Sequence, residues 1–70
     1  MEDIRRRFGF AVRKRRERLG LSQERFAEVA DIHRTYMGGV ERGERNVSLV
    51  NIEKIARGFK IPLATLFRGV

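Results

Sequence analysis

Apolar side chains recur along this chain at the spacing of helices, and nowhere do they keep the two-residue alternation of a strand. Ile4, Phe8, Val12 and Leu19 return to one face with Ala11 beside them, which predicts a first helix from about Ile4 to Leu19, ended by Gly20. Ser22 is suited to cap a second helix, from about Gln23 to Val29, and a third runs from about His33 to Arg42 with Gly43 as its C-cap. Ser48 caps a fourth, whose Leu49, Ile52, Ile55, Ala56 and Phe59 keep the same period, with Lys54 and Arg57 near its negative end. Ile61-Pro62-Leu63 opens a short last helix that ends near Phe67, with Pro62 at an early position where its missing N–H costs nothing. There is no linker, repeat or low-complexity stretch, so residues 1–70 form one all-α domain of five helices.

The middle of the chain, Ser22 to Gly43, carries the most specific pattern. Phe26, Ala30, Ile32, Met37 and Val40 are spaced to face one core from two short helices joined by a tight turn. Asp31 tolerates the left-handed conformation that such a turn needs, and the small Ala27 lets the next helix approach closely. Together these positions describe a helix-turn-helix, in which the second helix is the one that enters a DNA major groove.

Composition narrows the chemistry. A chain of 70 residues with 41% hydrophobic content supports one small core, and chains of this size often gain buried area by association. With no cysteine, disulfides, thiolate metal sites and cysteine nucleophiles are excluded. His33 is the only histidine, too few for a usual zinc site, and Ser22 and Ser48 are explained by capping. No metal, no cofactor and no catalytic activity are expected. No apolar run is long enough for a signal peptide or a bilayer span, so the reading is a cytoplasmic protein without a membrane partner. Sixteen Lys and Arg against nine Asp and Glu leave a net charge of +7, which favours a polyanionic partner through phosphate neutralisation. Arg5, Arg6, Arg7, Arg13, Lys14, Arg15, Arg16 and Arg18 all lie on the first helix, too many for one solvent face, so one of them is expected to turn inward.

Within the third helix, the exposed early residues Arg34, Thr35 and Tyr36 point at the bases if the helix lies in a major groove. Arginine offers the fork that matches guanine O6 and N7; Thr35 can meet a thymine methyl, and Tyr36 can pack on sugar or bond a base or phosphate. His33, at the start of the same helix, caps it or meets a phosphate. Gly38 and Gly39 each cost about 1 kcal/mol in a helix relative to alanine, so both need a reason. Gly38 is assigned to close packing on the second helix and Gly39 to the face that meets a partner. At the C-terminus Leu63, Leu66, Phe67 and Val70 crowd more apolar surface than one small core covers, which points to two-fold pairing there.

The segments GLSQERFA, Ile32 with HRTYMGGVERGERN, SLVNIEKIA and PLATLF resemble the phage repressor and Cro family of bacterial helix-turn-helix regulators over residues 8–67. HRTYMGGVERGERN is most similar to the controller proteins of restriction-modification systems. The resemblance implies a compact five-helix domain that binds a pseudo-palindromic double-stranded operator as a homodimer and recruits or blocks RNA polymerase. A controller is expected to regulate its own gene and that of the endonuclease. By position, the family's base readers fall on Arg34, Thr35 and Gly39, joined in controllers by Tyr36 and Arg45. Its phosphate contacts fall on Gln23, Arg42, Asn46 and the start of the fourth helix at Ser48. A family ion pair falls on Arg16 and Glu41. The chain departs from the pattern at Asp31, where glycine is common in the turn, at His33 and Val47, and in placing Gly58 inside and Lys60 outside the last turn of the fourth helix. A phage-type repressor or an antitoxin that represses its own operon fits the same motif. A protein-interaction or membrane-surface module built on the basic first helix is the reading from another class, and the ordered helix-turn-helix core argues against it.

Overall fold

The first helix starts at Asp3, whose carboxylate accepts from the Arg5 backbone N–H at 2.7 Å and from the Arg5 guanidinium at 3.0 and 2.9 Å. The same bonds, the side-chain pair first, pull the Asp3 carboxyl down to about 2. The structure, a computed structural model, describes residues 3–70. Five helices follow in order: α1 (Ile4–Arg18), α2 (Gln23–Ala30), α3 (Arg34–Glu41), α4 (Leu49–Phe59) and α5 (Leu63–Phe67). The described residues contain no strand. Ser22 Oγ accepts from the Arg25 N–H at 3.0 Å and Ser48 Oγ from the Asn51 N–H at 3.1 Å, so each hydroxyl satisfies one of the donors a helix start leaves unpaired. α3 is one residue shorter at each end than its pattern predicts, with His33 and Arg42 as its caps.

Asp31 sits at φ 58°, ψ 48°, the left-handed conformation expected of the turn between α2 and α3. The Ile32 N–H returns to the Ala27 carbonyl at 2.9 Å, and Lys54 Nζ of α4 donates to the Asp31 carbonyl at 3.3 Å. The turn is thereby closed from both sides.

One core joins all five helices: Phe8 and Val12 of α1, Phe26, Ala27 and Ala30 of α2, Met37 and Val40 of α3, Ile55, Ala56 and Phe59 of α4, and Leu66 of α5. Phe26 stacks on Phe59 with ring centroids 4.1 Å apart. Gly58 makes that stack possible, because a Cβ there would lie 3.1 Å from the Phe26 ring, and α4 runs through it to a left-handed Lys60 at φ 58°. Two glycines set the crossing of α1 and α3. A Cβ on Gly9 would be driven into the Val40 carbonyl oxygen, and Gly43, at φ +76°, lies where a Cβ would meet Arg6 Cα at 2.8 Å.

Several apolar residues expected inside are not. Ile4, Leu19 and Leu49, each at a helix end, are exposed, and Ile32 is only half-buried against the core. The C-terminal group divides: Leu66 is 2% exposed and belongs to the core, whereas Leu63 and Phe67 remain on the surface and Val70 is half-buried. Leu66 is therefore removed from any pairing face, since its side chain is already spent within the monomer.

Candidate nucleic-acid interface

The starts of α2 and α3 form the two walls of a cleft lined by Ser22, Gln23 and Glu24 on one side and Arg34, Thr35, Gly38 and Arg42 on the other. The geometry rests on a partly buried ion pair beneath it. Arg16 is the α1 arginine that turns inward onto an acidic partner: its Nε donates to Glu41 Oε2 at 2.7 Å and its Nη2 to Glu41 Oε1 at 3.0 Å, with side chains only 12% and 4% exposed. The hydrogen bonds to Glu41 raise the Arg16 pKa, so the guanidinium stays charged despite its burial. Arg16 Nη1 also donates to the Leu21 carbonyl at 2.8 Å, and Gln23 Nε2 donates to Glu41 Oε1 at 3.0 Å. Gln23, the first residue of α2, is thus tied through Glu41 to the last residue of α3 and through Arg16 to α1. This network orients α2 and α3 relative to one another. One N–H of the Gln23 amide remains for a further acceptor.

Arg34 and Thr35 are exposed at the start of α3. Arg34 Nη1 donates to Glu24 Oε2 at 2.7 Å across the cleft. His33 Nδ1 accepts from the Thr35 N–H at 3.1 Å, capping α3 and leaving the ring proton on Nε2. Tyr36, expected to be exposed, is half-buried: it adjoins the buried run Met37 to Val40 and packs against the core. Its ring carries the Arg45 guanidinium 5.0 Å above its centroid.

Both glycines of α3 are buried beneath long side chains. A Cβ on Gly38 would come within 3.1 Å of Gln23 Oε1 and Arg42 Nη1, so Gly38 lets these two side chains lie across α3. Gly39 is not on an open face: a Cβ there would lie 2.9 Å from Arg45 Nε, so the glycine seats Arg45 against Tyr36. Arg42 is paired to its neighbour Glu44, with Nε at 3.0 Å and Nη2 at 3.1 Å from the two carboxylate oxygens. These bonds hold the Glu44 carboxyl below the usual carboxylate range and raise Arg42 in turn. Asn46 and Ser48 are exposed at the start of α4, where the first backbone N–H groups have no helical partner. Among the described residues no group of three or more His, Cys, Asp or Glu side chains is placed to hold a metal ion, and no helix is long and apolar enough to cross a membrane.

Sequence reasoning missed Glu24 and Glu44 as the partners of Arg34 and Arg42, missed Gly9 altogether, and saw Gly43 only as the end of α3 and not as a close approach to Arg6. The separation of ten positions between Glu24 and Arg34 leaves no periodic trace, and a glycine inside α1 has no local signature of a helix crossing. The Arg42 and Glu44 pair, two residues apart at a helix end, was within reach of a charge-pattern reading.

With this geometry in place, residues 12–66 match the helix-turn-helix family HTH_3. The chain is 51% identical over 71 aligned positions to the control protein C.MunI of Mycoplasma sp, covering 100% of this chain and 96% of that protein. It is 48% identical over 60 positions to the control protein C.BamHI of Bacillus amyloliquefaciens, covering 84% and 74% of the two. The crystal structure of the restriction-modification controller protein C.AhdI from Aeromonas hydrophila superposes with a TM-score of 0.87 at 48% identity, over 91% of this chain and 97% of that one. The chain belongs to the helix-turn-helix family, among its restriction-modification control proteins.

Proposed function

We propose that this protein is a sequence-specific DNA-binding transcription regulator that binds a pseudo-palindromic operator as a homodimer and controls the genes of a restriction-modification system, its own and the endonuclease gene among them. The observation that carries the reading is the exposure of Arg34 and Thr35 at the start of a helix-turn-helix second helix, braced from below by the Arg16, Glu41 and Gln23 network. In this reading Arg34 takes guanine, Thr35 a base edge or methyl, and Arg45 is presented from its seat on Tyr36 and Gly39. Gln23, His33, Arg42, Asn46 and Ser48 hold phosphates around them. The relatives named as control proteins support the assignment to restriction-modification. Regulation by occupancy requires no catalytic step: near a promoter the bound protein recruits or blocks RNA polymerase, acting in the cytoplasm.

Arg34→Ala is expected to weaken binding to an operator selected from a random duplex pool by about 1–3 kcal/mol while changing binding to random duplex little. Fluorescence titration on both duplexes measures this, and equal losses on the two would remove Arg34 from the base readers.

The pairing face is supported by Leu63 and Phe67, which stay exposed, and by a mostly apolar groove beside Phe67 in which Ile4, Phe8, Val47 and Ile52 are joined at the rim by Arg5, Arg45 and Asn46. A two-fold dimer on this face would set two α3 helices about 34 Å apart, one turn of B-DNA, with half-sites about 10 base pairs apart. Sedimentation of the wild type is expected to give a dimer at micromolar concentration, and Leu63→Asp with Phe67→Asp a folded monomer. A wild type that sediments as a monomer, or a double variant that remains dimeric, would rule out this face.

A further inference from the structure

We infer that Glu24 is a specificity-determining residue of the DNA-reading face, holding Arg34 with its guanine-reading edge free and opposing its capture by a phosphate. The inference rests on the DNA-reading role proposed above and deepens it at one position.

The two arginines that line the cleft are held in different ways. Glu44 occupies the Nε and Nη2 edge of Arg42, so the two parallel donors that guanine needs are already taken and only Nη1 is left, enough for a single phosphate oxygen. Glu24 bonds only Nη1 of Arg34, at 2.7 Å, and the Nε and Nη2 edge of that guanidinium is unoccupied. Two parallel N–H groups on one guanidinium edge are what guanine O6 and N7 accept. A carboxylate on the remaining nitrogen limits the rotation of the planar group, reducing the rotamer freedom lost on binding.

The pair has no other evident use. The Arg34 and Glu24 side chains are 67% and 66% exposed, and ion pairs so exposed contribute little to folding. A carboxylate on a surface that meets a polyanion is otherwise unfavourable, since it cancels one phosphate neutralisation. The position of Glu24 makes that penalty selective. On the operator, Arg34 can keep its bond to Glu24 while its free edge takes guanine, so the attraction persists in the complex. On random duplex, Arg34 can be satisfied only by a phosphate, and drawing it there either breaks the bond to Glu24 or brings two anions together.

The test is a double-variant cycle on full-length protein with two labelled probes, a random-sequence duplex and the duplex the wild type selects from a random pool. Glu24→Ala is expected to weaken binding to the selected duplex and strengthen binding to random duplex, so that the ratio of the two affinities falls about five-fold. The salt dependence on random duplex should steepen by roughly one phosphate equivalent. Glu24→Gln, which keeps an acceptor oxygen without the charge, should fall between wild type and Glu24→Ala. In an Arg34→Ala background the same substitutions should leave the ratio unchanged. Glu17→Gln provides a control of equal charge, because Glu17 pairs with Arg13 on α1 away from the cleft; it should leave the ratio unchanged. A merely structural role for Glu24 would weaken both probes alike, and that result, or a ratio that falls equally without Arg34, would overturn the inference. A wild type that selects no sequence over random duplex would instead overturn the reading on which it rests.

Discussion

Glu41→Ala is expected to be among the most damaging single substitutions in the chain, lowering stability by about 3–5 kcal/mol. The carboxylate is 4% exposed and takes three donors, two from Arg16 and one from Gln23. Removing it leaves the Arg16 guanidinium, itself 12% exposed, with only the Leu21 carbonyl as an acceptor. The cost is chiefly that of the stranded charge and less the worth of the pair, because the attraction of a buried pair largely repays its own desolvation. In a domain of this size each kcal/mol moves the melting temperature by about 4–8 °C, so a fall of more than about 12 °C is expected in a thermal melt followed by circular dichroism. Arg16→Met combined with Glu41→Met removes both charges and should recover much of the loss. A Glu41→Ala melt within a few degrees of wild type would show that Arg16 is solvated and that the network does not brace α3.

Gly9→Ala is the second large effect, and it acts without touching any charge. The added methyl would be forced into the Val40 carbonyl oxygen and lie 2.8 Å from that of Glu41, both backbone atoms of α3 that cannot turn aside as a side chain can. α1 and α3 must then separate, opening the contacts of Phe8 and Val12 with Met37 and Val40. Overpacking typically costs about 1–3 kcal/mol, and a clash with backbone belongs at the upper end. Alanine's better helix propensity returns at most about 1 kcal/mol of this. Because α3 is displaced relative to α2, DNA binding should fall together with the melting temperature. A Gly9→Ala protein as stable as wild type would mean that the two helices do not cross as closely as described.

The two substitutions differ in how visible they were before the fold was known. The surplus of arginine on α1 already required one to turn inward, and the resemblance pointed to Arg16 and Glu41. Gly9, by contrast, carried no signal, since its role depends on where α3 crosses α1 some thirty residues later.

That division runs through the molecule. The sequence by itself determined the five helices and most of their ends, because capping and termination are settled within four or five residues: Ser22 and Ser48 accept from N–H groups three residues on, and Asp31 turns the chain with its own backbone. The central core was equally legible, since Phe26, Ala30, Met37 and Val40 repeat at the spacing that brings them to one face. Tertiary structure alone decided which residues at the ends of those stripes are buried, because a helix end is covered only if a neighbour extends that far. Leu49 is exposed, while Leu66 enters the core and Phe67 beside it stays 38% exposed. Tertiary structure also decided the polar pattern of the cleft between α2 and α3. Glu24 meets Arg34, and Arg45 lies over Tyr36 and Gly39, only because two helices and the loop that follows them converge there. Pairings of this kind depend on distances between helices, which follow from side-chain volumes packed against one another and leave no periodic mark along the chain.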